Sequence, residues 1–352
     1  MNTIIKDDIS KLISQEKALL ESAKGKTILI TGATGMIGQY LTFLFAELSK
    51  QSGFESTTVI AHARNLEKAE ILFSDYLDHN NFRIQACDIL DLNDIDGPLD
   101  YCFHAASPAQ PKDFKERPVD IIKANVLATD NLLQLCAKKS AKFCFISTME
   151  VYGEVHSDSY PVKVNEEAYG SLDSLNLRSA YPESKRLAEN LCVAYQEQFQ
   201  VPVSIARLTH TYGPGMSLDD GRVQAIFMKK ALSGETPVVK ADDSGRRTYT
   251  YIADAIMGAI YTILKSTPDN FVFNIANESS MLSIRELAEQ ILIASGRDKS
   301  DLQVDIDQDT SMLSKSNGIV LVDTTRAKAL GWTPQYNIED GMARTIKYHT
   351  GK

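Results

Sequence analysis

The sequence predicts an α/β protein: a doubly wound parallel sheet, a smaller and mostly C-terminal α/β lobe, and an added N-terminal helix. Three observations carry that prediction. Short apolar runs alternate with helical stretches from Lys26 to Arg207. The first run ends in a glycine-rich turn, Thr31-Gly32-Ala33-Thr34-Gly35-Met36-Ile37-Gly38, that opens a helix. From about Gly213 the character changes to short elements mixed with loops.

Residues 1–24 are polar, with Ile5, Ile9, Leu12, Ile13, Leu19 and Leu20 at roughly helical spacing. That spacing predicts an amphipathic helix lying on the body of the protein; an arm that binds a partner is the alternative. Lys26-Thr27-Ile28-Leu29-Ile30 is a short buried strand, and residues 57–61, 83–86, 101–104, 143–146 and 203–207 read as further strands. Residues 119–138 and 181–198 are the clearest helices between them. Such alternation implies a parallel sheet covered on both faces. Beyond Gly213, loops such as Gly234-Glu235-Thr236-Pro237 and residues 311–318 separate short helices and strands.

Composition narrows the classes. In 352 residues, 43% hydrophobic and 24% charged content is ordinary for a globular protein with a real core. A net charge of −9 argues against nucleic acid or an anionic membrane as partner. Cys87, Cys102, Cys136, Cys144 and Cys192 form no CxxC pair and no metal-like spacing, so they read as reduced core residues, and no metal is expected. No apolar run is long enough to span a bilayer, and the N-terminus lacks a basic-then-apolar signal pattern. The expectation is a soluble, cytoplasmic protein.

The glycine turn points to a dinucleotide. Gly32 allows the tight turn, Gly35 lets backbone approach a pyrophosphate, and Gly38 lets helix and strand pack closely. The helix that opens at Met36 and Ile37 supplies amide donors. At the end of the second strand, where an acidic residue would favour NAD, the chain has His62-Ala63-Arg64-Asn65. Arg64 either pairs with a 2′-phosphate, favouring NADP, or is a solvated arginine stacked on adenine. Asp88, followed by Ile89, is placed to accept from the adenine amine. Ala105, Ala106 and Ser107 leave room for the cofactor, and Asn125 completes the expected cofactor set.

Tyr181-Pro182-Glu183-Ser184-Lys185 places Tyr and Lys at i and i+4, on one helix face. Pro182 is tolerated because it falls in the first turn. The Lys185 ammonium favours phenolate, so Tyr181 is expected to act as a base near neutral pH. Lys185 can also hold the nicotinamide ribose. Thr148 ends the strand before Met149-Glu150-Val151-Tyr152-Gly153 and can share the substrate hydroxyl's proton.

On these residues the chain resembles the extended short-chain dehydrogenase/reductase superfamily of nucleotide-sugar epimerases, dehydratases and decarboxylases, from about Lys26 to about Tyr348. Beyond the helical extension read at 1–24, the resemblance implies a Rossmann-type NAD(P)-binding domain at 25–212 and a lobe at 213–352 that binds a nucleoside-diphosphate sugar. It implies a bound nicotinamide cofactor, NAD, or NADP if Arg64 takes the 2′-phosphate. It also implies a homodimer paired through the helices near 119–138 and 181–198, and a place in polysaccharide synthesis.

The strand end selects a branch. Family dehydratases read Thr-Asp-Glu there, and Met149 replaces the Asp that expels water. Ordinary 4-epimerases carry a small or apolar residue where this chain keeps Glu150. A hydroxyl, a non-acidic residue and a Glu look most like the UDP-glucuronate decarboxylase branch, Ser-Thr-Ser-Glu-Val-Tyr-Gly. His104-Ala105-Ala106-Ser107-Pro108-Ala109-Gln110-Pro111 is similar to that branch's His-Leu-Ala-Ser-Pro-Ala-Ser-Pro, which implies Ser107 and Pro108 beside substrate. Arg178 matches an arginine before the catalytic Tyr, Arg222 one near the diphosphate, and Arg247 one gripping the diphosphate or uridine ribose. A planar guanidinium suits phosphate oxygens; a surface ion pair is the plainer reading of each.

Three departures qualify the resemblance. His210 stands where most of the family has a substrate-contacting Asn, and Gly215 replaces an arginine. Residues 311–320 hold Lys315 and no Arg to clamp a sugar carboxylate. Decarboxylation through a 4-keto sugar therefore leads, with 4-epimerisation as the alternative and 4,6-dehydration or keto reduction behind. A silent dinucleotide-binding protein is the rival class, and the intact Thr148, Tyr181 and Lys185 set speaks against it.

Overall fold

The computed structural model describes residues 1–155, 161–240, 245–305 and 320–351. Lys315 and the loop at 311–318 lie outside the described residues. Seven parallel strands form the main sheet: β1 (Thr27–Thr31), β2 (Thr58–Ala63), β3 (Phe82–Ala86), β4 (Tyr101–His104), β5 (Lys142–Thr148), β6 (Val203–Leu208) and β7 (Val272–Ile275). Their spatial order is β7-β6-β5-β4-β1-β2-β3. Connections run outward in opposite directions from β1 and β4, which leaves a crevice above the C-terminal ends of those two strands. The sheet does not end at residue 212, because β7 comes back from the later part of the chain to pair with β6.

Alternation along the strands divides the core. Ile28 and Ile30 belong to one apolar cluster, with residues of the helices Met36–Ser49 and Ile252–Lys265. Leu29 belongs to the other, with residues of the helices Pro118–Lys139 and Ala180–Phe199. All five cysteines are free thiols, and Cys102, Cys136, Cys144 and Cys192 are buried. Among the described residues no helix is long and apolar enough to cross a membrane.

The N-terminal segment forms helix Thr3–Gln15, with Ile5, Ile9, Leu12 and Ile13 buried against the body, so its apolar face is not left for a partner. One residue on that buried face is charged. Asp8 is fully buried and accepts from the hydroxyls of Tyr40 (2.9 Å), Tyr251 (2.6 Å) and Tyr336 (3.0 Å), while Arg344 lies 2.7 Å away. A smaller sheet stands beside the crevice. There His210–Tyr212 pairs parallel with Arg246–Tyr251, which pairs antiparallel with Met281–Ser283. This sheet carries His210 and Arg247 to the rim.

Candidate active site

The crevice is a cleft of about 610 Å³, a size suited to a small-molecule site. Its floor is the glycine turn. Gly32 has φ +65°, and a Cβ there would lie 2.7 Å from the Cα of Ala106. A Cβ on Gly38 would lie 2.1 Å from the Gly32 carbonyl oxygen, so the turn closes only because both residues lack side chains. Gly35 precedes the helix, and the Gln39 amide is the first to bond back, to the Gly35 carbonyl at 2.8 Å. The amides of Met36, Ile37 and Gly38 are thus left without intrahelical acceptors at the cleft floor, as a pyrophosphate requires.

Gly35, Met36, Ile37, Gly38, Ala105, Ser107 and Pro108 line the cleft. Asn125 does not. It is fully buried, accepts from Ser107 Oγ at 2.7 Å and donates to Ser184 Oγ at 2.9 Å. Ser184 in turn donates to the Tyr181 carbonyl at 2.9 Å, so Asn125 ties the cleft wall to the first turn of the tyrosine helix from behind. Gly32, Ala106, Asp88, Ile89 and Arg64 also stand outside the lining. Asp88 Oδ1 accepts from the Leu90 amide at 3.0 Å, and Arg64 is exposed at the end of β2. Sequence reasoning missed Lys68, which lines the cleft from the helix Leu66–Leu72.

Thr148, Glu150, Tyr181 and Lys185 all face the same cleft. The expected depression of the Tyr181 phenol is not found. Burial holds it above the ordinary range and Glu150 adds to that, against Arg222, a hydrogen bond with Thr148, and Arg178. Lys185 does not supply the missing pull. Its Nζ donates to the Ile146 carbonyl at 2.8 Å and lies 6.0 Å from the Tyr181 ring centroid, and burial lowers its own pKa to about 7 against Glu189.

Sequence reasoning treated Glu150 and Arg178 separately; the fold pairs them at 2.6 Å. The Arg178 guanidinium lies over the Phe114 ring at 4.3 Å, and that ring packs on Tyr181 at 5.1 Å. Beneath them is a buried ion pair that was also missed. Arg207 donates to Glu189 from Nε (3.0 Å) and Nη2 (2.6 Å), and Ser147 Oγ donates to Glu189 Oε1 at 2.5 Å. An arginine inside the buried strand Val203–Leu208 was the available signal, since a buried charge demands a partner.

On the far wall stand His210, Arg222, Gln224 and Arg247. Arg222 is held by Asp220 at 2.7 Å. Arg247 and Arg64 are the arginines whose side chains have neither a hydrogen bond nor an ion pair among the described residues. Burial, then Arg247 and Arg222, push His210 down to about 3, so its ring is neutral. Its Nδ1 is buried without a partner, as are Gln224 Nε2 and the Tyr249 hydroxyl. Orphaned polar atoms around a cleft mark where a polar ligand belongs. The departure at Gly215 has a local reason: its φ is +86°, a conformation that strains a residue with a side chain, and Gln39 Nε2 occupies the space where a Cβ would stand.

Residues 28–276 match the NAD dependent epimerase/dehydratase family. The chain is 32% identical over 330 residues to UDP-glucuronic acid decarboxylase 1 of Xenopus tropicalis, covering 92% of this chain and 72% of that protein. It is 31% identical over 319 residues to UDP-glucuronic acid decarboxylase 5 of Arabidopsis thaliana, covering 90% and 86%. Among solved structures, UDP-glucuronic acid 4-epimerase from Bacillus cereus in complex with NAD aligns with TM-score 0.71 at 24% identity, covering 92% of this chain and 96% of that one. UDP-glucose 4-epimerase from Thermotoga maritima aligns with TM-score 0.74 at 23% identity, covering 92% and 99%. These structural likenesses speak for the fold.

Proposed function

The chain belongs to the NAD dependent epimerase/dehydratase family, and we propose that it modifies a nucleoside-diphosphate sugar through a transient 4-keto intermediate, with loss of carbon dioxide from a hexuronate as the outcome. The observation that carries this reading is the set Thr148, Glu150, Tyr181 and Lys185 facing one cleft, with Met149 where a dehydratase needs an acid. The glycine turn and the orphan amides of Met36, Ile37 and Gly38 fit a pyrophosphate; Ala105 and Ser107 leave room beside it, and Lys185, in the same lining, would hold a ribose hydroxyl. When bound, the nicotinamide supplies a reversible hydride acceptor. Tyr181 takes the 4-hydroxyl proton as phenolate, a form that Arg222, the Thr148 hydrogen bond and Arg178 favour and burial opposes. The bond from C5 to the carboxylate then breaks, its electrons pass to the 4-ketone as carbon dioxide leaves, Glu150 positions or protonates C5, and the ketone is reduced again at C4 so that the cofactor is recycled. Arg222, Arg247 and neutral His210 meet the diphosphate and its neighbours.

A 4-epimerase is the second reading, favoured by the lack of an arginine at residues 311–320 to hold a carboxylate. Without a carboxylate, the ketone turns over and is reduced on its other face. Mass spectrometry after incubation with UDP-glucuronate, UDP-glucose, UDP-N-acetylglucosamine and dTDP- or CDP-hexoses separates the two. Carbon dioxide loss from UDP-glucuronate supports the first; an isomeric product from another sugar, with UDP-glucuronate unchanged, retires it. Tyr181→Phe should abolish turnover and leave cofactor binding nearly intact.

A homodimer is also proposed, through the helices Pro118–Lys139 and Ala180–Phe199. Val119, Ile122, Leu175 and Leu187 leave an apolar face exposed there, and mass measured in solution tests it. Five free thiols suit a reducing cytoplasm.

A further inference from the structure

We infer that the cofactor end of the cleft is built for a 2′-phosphorylated dinucleotide, NADP(H), held by Arg64 and Lys68. This rests on the dinucleotide reading of the glycine turn and goes beyond it. The Ala33 amide donates to the His62 carbonyl at 2.9 Å, which locks the turn to the end of β2. The residues that follow are therefore beside the adenosine ribose of anything seated on the turn. A site for NAD places a carboxylate here to accept from the ribose 2′-hydroxyl. This chain offers none from Thr58 to Leu66. The strand instead ends in buried Ala63, then exposed Arg64. Asn65 is committed elsewhere, since its side chain accepts from the Lys68 amide at 2.8 Å.

Two cations replace the missing carboxylate. Arg64 is without a partner among the described residues, whereas Arg178, Arg207, Arg222 and Arg344 are each held by a carboxylate within 2.7 Å. Lys68 lines the cleft together with Thr34 and Gly35. A phosphate carries close to two negative charges and three acceptor oxygens, and a guanidinium fork beside an ammonium is a matching donor set. A ribose diol gives those cations nothing to neutralise. The competing use of Arg64, stacking on adenine, makes a different prediction, because adenine is common to both dinucleotides.

The test is direct binding. Protein freed of carried cofactor is titrated with NADPH and with NADH, followed by nicotinamide fluorescence. NADPH is expected to bind at least about tenfold tighter, given charge-assisted hydrogen bonds to the phosphate. That preference should shrink as salt rises. Arg64→Leu should weaken NADPH about tenfold and leave NADH unchanged, with Lys68→Met acting the same way to a smaller degree. Circular dichroism checks that both variants fold, and both positions are exposed. Equal affinities in the unaltered protein, or tighter NADH, overturn the proposal. So does an Arg64→Leu variant that weakens both dinucleotides alike, the signature of adenine stacking. Binding of neither overturns the cofactor reading itself and this proposal with it.

Discussion

Removing the Asp8 carboxylate should destabilise the whole protein, although Asp8 lies far along the chain from every residue it holds. Its two oxygens receive three tyrosine hydroxyls, and Oδ1 lies 2.7 Å from Arg344. Asp8→Ala leaves the hydroxyls of Tyr40, Tyr251 and Tyr336 without their acceptor in a buried site. A buried donor left unmade costs about 1–3 kcal/mol. Arg344 suffers less, since Asp7 remains 2.6 Å away. Burial raises the Asp8 pKa, so the native protein already bears a desolvation cost that the variant recovers. Taking the low end for each hydroxyl gives a loss of about 3 kcal/mol. Asp8→Asn keeps the shape and one acceptor oxygen for Arg344 and Tyr336. Its amide can donate to Tyr40 and Tyr251 if those hydroxyls turn, so about 1 kcal/mol is expected. Urea unfolding followed by circular dichroism measures both, with the slope required to stay constant. An alanine variant within about 0.5 kcal/mol of the parent, or an asparagine variant worse than alanine, would sink the argument that these hydroxyls depend on Asp8.

Gly38→Ala should abolish dinucleotide binding and cost about 2 kcal/mol or more, because its Cβ falls 2.1 Å from a backbone oxygen that cannot step aside; calorimetry and unfolding read the two effects. Acid should unfold the protein early. His62 is held near 4, His210 near 3 and His104 well below its usual value, all by burial, so their stabilisation is present above pH 6.5 and lost as pH falls through the folded values. His62 alone accounts for about 3 kcal/mol by about pH 4. Asp254 works in the opposite sense: burial raises it to about 7, so its contribution is present at low pH and lost as pH rises through 7, and Asp254→Asn should flatten that slope in urea titrations. Arg207→Met should cost about 3–5 kcal/mol by stranding Glu189, and adding Glu189→Met should recover much of it in a double-mutant cycle.

What the sequence made legible was local. The glycine turn and the Tyr181–Lys185 spacing each lie within a few consecutive residues, and both are built as expected. Strands β1, β2, β4, β5 and β6 were found because their apolar runs are buried on both faces, and the partly exposed edge strand β3 by its place in the alternation, with ends displaced by at most two residues. β7 escaped because its run is interrupted by Asn274, which looks like a loop residue. In the fold Asn274 is fully buried and satisfied: its backbone amide donates to Glu166 Oε1 at 2.7 Å, its Nδ2 donates to the Asp323 carbonyl at 2.9 Å, and its Oδ1 accepts from Tyr152 at 2.5 Å. The Arg207–Glu189 and Glu150–Arg178 pairs join residues on different elements, and spacing along a chain does not report such meetings. The Tyr181 pKa was misjudged for a related reason. A Lys at i+4 is visible in sequence, whereas the burial that outweighs it is a property of everything packed around the ring.

That burial makes the Glu150–Arg178 pair the lever on the base. Glu150 pushes the Tyr181 phenol up and Arg178 pulls it down, and at 2.6 Å they act on it as a nearly neutral unit. Breaking the pair from either side should therefore move the base in opposite directions. Glu150→Gln removes the repulsion and leaves Arg178 free, so the acidic limb of kcat/KM against pH should move to lower pH. Arg178→Met leaves an unpaired carboxylate beside the phenol, so the limb should move to higher pH. Each shift is expected to be below about one pH unit, because both side chains are a third or more exposed and solvent screens them. The sign is what matters. A loss of rate without movement of the limb, or movement of both variants in one direction, would mean that the limb reports a group other than Tyr181, with Lys185 near 7 as the first alternative to examine.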